Sequence, residues 1–195
     1  MRVAPSGDGS PRPLRSALFI DRDGTLNPDL HYLKDAERIE LFAGVGAALR
    51  LAHAHGWLVI CVTNQSGVER GFYTVEDVER IHARVNALLA REGAQVDAFY
   101  YCPHAPEHGC ACRKPKTELF ERACRDWSID PATSAIVGDR VLDAEAGQRL
   151  GLLTARVRTP AQPPEVDAEF VEHGIVPEVT ADSVEGAVLR LLSRG

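Results

Sequence analysis

ALFIDRDGTLN, residues 17–27, is an apolar run that ends abruptly in acidic and small polar residues. The run from Ala17 to Ile20 predicts a short buried strand, and a strand that is apolar on both faces is typical of a parallel sheet covered by helices. Ligands of such sheets bind beyond the carboxyl ends of the strands, where Asp21 and Asp23 fall. Two carboxylates this close suit Mg²⁺, which binds carboxylates together with substrate phosphate oxygens. For this stretch alone, an ordinary Asx turn is the alternative interpretation.

The composition is typical of one globular domain. The chain has 195 residues, of which 45% are hydrophobic and 26% charged, and its formal net charge is −6. This acidity argues against a nucleic-acid partner, and no apolar run approaches the ~20 residues of a membrane span. Residues 1–15 are rich in Pro, Gly, Ser and Arg and predict a flexible leader, followed by a single domain over 16–195. We expect a cytoplasmic monomer with reduced cysteines and no membrane partner.

Strands and helices alternate along the chain. Apolar runs predict strands at 17–20, 58–62, 96–101, 135–137 and 153–157, and amphipathic patterns predict helices at 45–55, 74–92, 117–127, 142–150 and 183–192. This alternation predicts an α/β three-layer sandwich with a mainly parallel, doubly wound, Rossmann-like sheet.

Polar side chains follow three of the predicted strands directly. They are Asp21 and Asp23, then Thr63 and Asn64, then Asp139. The carboxyl ends of parallel strands share one edge of the sheet, so these groups are expected to converge. Lys114, just before a helix, supplies the cation that a phosphate site needs. Asp143, four residues after Asp139, could orient a metal or a neighbouring base.

In this order, the motifs resemble those of the haloacid dehalogenase superfamily of phosphatases. The matching segments are DRDGT at 21–25, Thr63 at a strand end, Lys114 before a helix, and GDRVLD at 138–143. The resemblance extends from Ala17 to about Val157 and covers most of the chain. It implies a phosphatase that acts on a small phosphorylated metabolite.

The resemblance also assigns roles to the site residues. Asp21 would be the nucleophile that forms an aspartyl-phosphate, and Asp23 would be the general acid and then the general base. Mg²⁺ would be held by the carboxylates of Asp21 and Asp139 and by the backbone carbonyl of Asp23. Thr63 and Lys114 would hold the phosphoryl oxygens, where positioned donors stabilise the developing charge.

A second informative stretch is YYCPHAPEHGCACRKP, residues 100–115. Three thiols and an imidazole are spaced as Cys-x-His and Cys-x-Cys: Cys102, His104, Cys110 and Cys112. This is a standard tetrahedral zinc set, and four protein ligands leave no open position, so we interpret the zinc as structural. His108 is a substitute candidate for the histidine ligand. The zinc would hold a long loop beside Arg113 and Lys114.

The zinc loop resembles one branch of the superfamily, which contains D-glycero-D-manno-heptose 1,7-bisphosphate phosphatases and histidinol-phosphatases. Members of this branch lack a large cap domain. Here only 39 residues separate Asp23 from Thr63 and 50 separate Thr63 from Lys114, so short loops must confer specificity.

The two activities of this branch are favoured by different segments. TNQSGVERG at 63–71 and LNPDLHYL at 26–33 resemble the heptose enzymes, whereas the zinc-loop spacing and CRKPKTELFERA at 112–123 resemble histidinol-phosphatase. We expect the heptose bisphosphate activity, with Arg113 binding the second, non-reacting phosphate or nearby hydroxyls. The substrate-binding residues that this resemblance implies are Asp29, His31, Tyr32, Asn64, Gln65, Ser66, Arg113 and Arg140.

Two other classes of function are weaker alternatives. A polynucleotide 3′-phosphatase shares the first motif but would need a basic groove, which the acidic chain does not indicate. A non-catalytic, zinc-stabilised binding module would have no reason to keep the acidic and lysine motifs together.

Overall fold

The computed structural model describes residues 13–159 and 162–194, which form a six-stranded sheet with helices on both faces. The strands are β1 Ala17–Ile20, β2 Leu58–Asn64, β3 Ala98–Cys102, β4 Ala135–Gly138, β5 Leu153–Val157 and β6 Val179–Ala181. The helices are α1 Val45–Ala54, α2 Val75–Arg91, α3 Glu118–Trp127, α4 Val141–Leu150, α5 Glu165–Glu172 and α6 Val184–Leu192. The predicted α/β class is confirmed.

The strand order is β3-β2-β1-β4-β5-β6, and neighbouring strands pair in parallel. The order reverses between β1 and β4, which is the topological switch point where ligands of such sheets bind. The residues that follow these two strands, Asp21 and Asp139, therefore flank the switch point.

β1 lies in the centre of the sheet because both of its faces are apolar. Leu18 and Ile20 pack into a core shared with α1, α2 and α6, whereas Ala17 and Phe19 pack into a core shared with α3. All four residues are fully buried. Burial of an apolar side chain contributes about 1.5–3 kcal/mol, so β1 is held firmly and fixes the position of the polar residues that follow it.

The C-terminal part of the chain differs from the prediction. The sequence pattern indicated neither α5 nor β6, because α5 buries only Val166 and Phe170 and β6 has three residues of which the middle one is exposed. Local periodicity is weak in such short elements, and tertiary packing decides them. Most of the predicted leader, residues 1–12, lies outside the described residues. Arg15 bonds through its backbone to Ser128 and Asp130.

No helix within residues 13–159 and 162–194 combines the length and the apolarity needed to cross a membrane.

Candidate active site

A cleft of about 430 Å³ opens at the carboxyl edge of the sheet, beside the switch point. It is lined by the predicted residues Asp21, Asp23, Asp29, His31, Tyr32, Thr63, Asn64, Gln65, Ser66, Arg113, Lys114 and Arg140, and also by Asp143. Asp139 is not among the lining residues, but one of its carboxylate oxygens lies within 4.8 Å of oxygens of Asp21 and Asp143. The fold thus brings all the residues predicted for the phosphate site into one place.

Lys114 is the central charge of the cleft. Its buried Nζ donates to Asp21 Oδ1 at 2.8 Å, to Asp143 Oδ1 at 2.6 Å and to the carbonyl oxygen of Val62 at 2.7 Å. Burial alone would lower the pKa of Lys114, but the charges of Asp143 and Asp21 raise it above its ordinary value. The ammonium group therefore stays charged at neutral pH and is aimed at the nucleophile candidate.

Asn64 fixes the backbone of Lys114 from the end of β2. Its Oδ1 accepts from the Lys114 backbone N–H at 3.0 Å, and its Nδ2 donates to the Lys114 carbonyl at 3.3 Å. Asn64 was predicted to bind substrate. In this structure its amide is engaged with the lysine loop, although it also lines the cleft.

Asp21, Asp139 and Asp143 form a compact acidic group. Burial raises the pKa of Asp21 to about 6 against the opposing charge of Lys114, and burial with the charges of Asp21 and Asp143 raises the pKa of Asp139 to about 8. One lysine therefore does not neutralise the three carboxylates. Hard carboxylate oxygens with an excess of negative charge fit Mg²⁺.

The surroundings of this acidic group favour Asp21 and Asp139 as ligands over Asp143. One oxygen of Asp143 is paired with the Lys114 ammonium and the other accepts from the backbone N–H of Arg140 at 3.1 Å. The oxygens of Asp139 accept only from neutral side chains, from Thr25 at 3.2 Å and from Gln162 at 3.1 Å, which compete less with a cation. Gly24 has a φ of +84°, and a Cβ there would lie 2.3 Å from Asp139 Oδ2. A larger residue at position 24 would thus displace the carboxylate of Asp139.

The carboxylate of Asp23 accepts four hydrogen bonds. Arg22 donates from Nε at 3.0 Å and from Nη2 at 2.7 Å, Asn27 donates at 3.0 Å, and Gln65 donates at 2.9 Å. Burial raises the pKa of Asp23, but the charge of Arg22 and these hydrogen bonds outweigh it and lower the pKa below the ordinary value. Asp23 is therefore held ionised in this arrangement.

The sequence pattern did not predict that Arg22 and Asn27 belong to the site, nor that Gln65, predicted to bind substrate, is bonded to other side chains of the site. Gln65 also donates to Thr63 Oγ1 at 3.0 Å and accepts from the Tyr73 hydroxyl at 2.8 Å. The only sequence feature that indicated a role for Arg22 is its position between Asp21 and Asp23, because an arginine there either faces solvent or pairs with one of the two carboxylates.

The predicted zinc ligands converge at the end of β3 and in the loop that follows it. Sγ–Sγ distances among Cys102, Cys110 and Cys112 are 3.1 to 3.5 Å, and His104 Nδ1 lies 3.2 Å from Cys112 Sγ. A tetrahedral zinc with sulfur ligands at about 2.3 Å separates them by about 3.8 Å, so the arrangement fits after a small expansion. The substitute candidate, His108, instead contacts Glu69 Oε1 at 2.7 Å.

The rim of the cleft is formed by the loop after the first motif and by two arginines. His31 and Tyr32 have φ of +44° and +53°, and the His31 N–H donates to Asp29 Oδ1 at 2.9 Å. Arg113 donates to the carbonyl of His104 at 3.2 Å. Arg140 donates to both oxygens of Glu169 at 2.8 and 3.1 Å, so its charge is already paired.

Fold and site together define a haloacid dehalogenase-like hydrolase. A family model described as HAD-hydrolase-like matches residues 111–186. Over 147 residues the chain is 39% identical to the D-glycero-beta-D-manno-heptose-1,7-bisphosphate 7-phosphatase of Haemophilus ducreyi, which covers 72% of this chain and 81% of that protein. The enzyme of the same name from Helicobacter pylori strain 26695 is 40% identical over 132 residues, 67% of this chain and 76% of its own.

The chain therefore belongs to the D-glycero-D-manno-heptose-1,7-bisphosphate 7-phosphatase family and is a phosphoric monoester hydrolase. The D,D-heptose 1,7-bisphosphate phosphatase of B. bronchiseptica, solved with magnesium and phosphate, superposes with a TM-score of 0.80 at 28% identity, covering 92% of this chain and 99% of that one. A putative HAD-like phosphatase from Mesorhizobium loti superposes with a TM-score of 0.76 at 31% identity, covering 96% and 89%. The predicted family is confirmed, and the histidinol-phosphatase alternative is not favoured.

Proposed function

We propose that this protein hydrolyses the 7-phosphate ester of D-glycero-D-manno-heptose 1,7-bisphosphate, with Asp21 as the nucleophile. The observation that carries the proposal is the buried contact between Asp21 and Lys114 at the base of a cleft that also contains Arg113. One cation serves the reacting phosphate and the other suits a second phosphate of the same substrate. The names of the relatives supply the identity of the sugar.

In the first half of the reaction, a carboxylate oxygen of Asp21 attacks phosphorus and the bond from phosphorus to the sugar oxygen breaks. Lys114 and the Thr63 hydroxyl lie where they can bind the phosphoryl oxygens, whose charge must be stabilised in the transition state. Asp23 gives its proton to the departing sugar oxygen. The dianionic substrate beside Asp23 raises the pKa of this carboxyl, which favours its arrival in the protonated form.

In the second half, water attacks the phosphorus of the aspartyl-phosphate, and the bond to Asp21 breaks. Asp23 is now ionised and accepts the proton from this water. The four hydrogen bonds that it receives stabilise the ionised form. Phosphate leaves, and Asp21 returns to its original state.

We propose Asp21, Asp139 and the backbone carbonyl of Asp23 as the Mg²⁺ ligands. When bound, Mg²⁺ would neutralise part of the phosphoryl charge. Asp143 then holds Lys114 and the start of α4 in place without binding the cation itself.

We propose that Cys102, His104, Cys110 and Cys112 bind a structural zinc. The support is the convergence of four ligand atoms within 4.8 Å of one another in a loop of little regular structure. This loop leads directly into Arg113 and Lys114, so a bound zinc would fix the backbone from which these two side chains enter the cleft.

The remaining expectations concern the setting of the enzyme. Free thiols and a phosphorylated sugar substrate favour the cytoplasm. The net charge of −6 favours a small metabolite over nucleic acid. Light scattering after size exclusion tests the expected monomer.

The function is tested by phosphate release with Mg²⁺ from both anomers of the heptose 1,7-bisphosphate, histidinol phosphate and a 3′-phosphorylated oligonucleotide. We expect the largest kcat/KM on a heptose bisphosphate, and ³¹P NMR should show loss of the 7-phosphate signal while the 1-phosphate stays. Preference for histidinol phosphate would contradict the proposed substrate but keep the chemistry. No turnover of any of these with both metals bound would favour the binding module.

A further inference from the structure

Arg22 lies between the two aspartates of the first motif, yet its side chain is only 1% exposed. Its Nε and Nη2 donate to the two carboxylate oxygens of Asp23. A guanidinium that binds a carboxylate with two parallel hydrogen bonds fixes both the position and the plane of that carboxylate. The placement of Asp23 therefore depends on what holds Arg22.

The third nitrogen of this guanidinium faces His82, on α2. Arg22 Nη1 lies 3.4 Å from His82 Nε2, and the imidazole is 3% exposed. A guanidinium can only donate, so His82 Nε2 is the acceptor and the ring is neutral. Burial and the charge of Arg22 lower the pKa of His82 to about 3, which agrees with a neutral ring at physiological pH.

The ring of His82 is itself held by strand β3. It stacks on Phe99 with centroids 4.3 Å apart and an interplanar angle of 12°, and Tyr101 meets it edge-on at 5.6 Å. Within the part of the chain that the structure describes, His82 Nδ1 has no hydrogen-bond partner. A buried polar atom without a partner costs stability, which an apolar side chain at this place would avoid. What an imidazole adds here is the acceptor for Arg22.

We propose that His82 is a positioning residue for catalysis, which orients Arg22 so that Arg22 holds Asp23 where it exchanges protons with the sugar oxygen and with water. This inference rests on the proposed acid–base role of Asp23. The contacts described for His82 reach Arg22 and aromatic rings of β3, not Asp21 or Lys114, so it acts through the guanidinium alone.

The experiment compares kcat/KM on two substrates with different leaving groups. The leaving group of a heptose bisphosphate is a sugar alkoxide, which needs a proton. The leaving group of p-nitrophenyl phosphate is a stable phenolate, which does not. His82→Phe keeps a ring on Phe99 and removes the acceptor, and His82→Gln restores an amide oxygen that can accept from Arg22. His82→Leu also removes the acceptor and replaces His82→Phe if that variant does not fold. Asp23→Ala defines the effect of losing the acid, and the exposed His55→Phe is the control.

We expect Asp23→Ala to lose at least about 100-fold more kcat/KM on the sugar than on the aryl ester. His82→Phe should lose about tenfold more kcat/KM on the sugar than on the aryl ester, with an unchanged thermal unfolding profile. His82→Gln should recover most of this loss. Equal losses on both substrates, or no loss, in a folded His82→Phe would overturn the inference while Asp23→Ala still shows the bias. If Asp23→Ala shows no bias, the acid role fails, and the inference fails with it.

Discussion

The protein contains two clusters that suit metal ions, and they are assembled in opposite ways. The acidic cluster consists of Asp21, Asp139 and Asp143, which come from two segments far apart in the chain, and all three are buried. The Cys/His cluster lies within 11 consecutive residues, at the end of β3 and in the loop that follows it, and three of its four residues are only half-buried. The first is placed by β1 and β4 before any metal binds, whereas in the second the metal would hold the loop. A bound Mg²⁺ should therefore matter mainly for chemistry, and a bound zinc for structure.

The largest expected effect separates chemistry from folding in the acidic cluster. Asp21→Asn removes the nucleophile and keeps the shape of the side chain, so turnover should fall by about 10⁴-fold or more. Steady-state phosphate release measures the loss, and circular dichroism measures the fold. Exposed Glu172→Gln on α5 is the charge-matched control. A variant that retains the parental rate would end the assignment of Asp21 as nucleophile.

The second prediction concerns the Cys/His cluster. Elemental analysis should give about one zinc per chain, and Cys110→Ser should lower the unfolding midpoint by about 10 °C, since losing a structural metal costs several kcal/mol. Activity should fall with it, because Lys114 follows the cluster by two residues. Cys124→Ser, in α3 and outside the cluster, should retain zinc and most of the stability. A folded and active preparation without zinc would contradict the structural role.

The third prediction uses the raised pKa values of Asp21 and Asp139. Folding raises both, so their contribution to stability is present below about pH 4 and is lost as the pH rises through about 6 and about 8. Mg²⁺ binds the ionised carboxylates and should offset this loss. Saturating Mg²⁺ should therefore raise the unfolding midpoint by about 5 °C near pH 8 and by much less near pH 5.

Differential scanning fluorimetry at the two pH values measures this difference. Asp139→Asn should abolish most of the Mg²⁺-dependent increase, whereas Asp29→Asn, on the rim, should keep it. An increase of equal size at both pH values would show that these carboxyls are not the Mg²⁺ ligands.

The smallest effect is expected at Arg113, which lies in the chain between Cys112 and Lys114. Arg113 lines the cleft and donates to the carbonyl of His104, so Arg113→Lys keeps the charge but loses the planar fork. KM for the bisphosphate should rise about fivefold with little change in kcat, as for a group that binds substrate and transition state equally. Lys116→Arg, in the same loop, is the control. A fall in kcat with constant KM would place Arg113 at the reacting phosphate instead.

The sequence predicted the parts of the molecule in which one local pattern is decisive. β1 is four apolar residues followed by acidic ones, and three cysteines and a histidine lie within 11 residues, so the strand and the convergence of these four side chains could both be predicted. The arrangement around Asp23 could not be, because it depends on side chains that meet only after folding, such as His82 against Arg22. The sequence likewise left open that Asn64 binds the backbone of Lys114 and that Glu169 pairs with Arg140.

The central position of β1 has a consequence for protein synthesis. Leu18, near the start of the chain, pairs with Ala135, which leaves the ribosome more than a hundred residues later. At typical elongation rates this delay is roughly ten seconds. During this time the edge of β1 that β4 will cover has no native partner, and Asp21 has been made before Lys114 and Asp139. The site can therefore be complete only after Asp139 has left the ribosome, more than a hundred residues after Asp21.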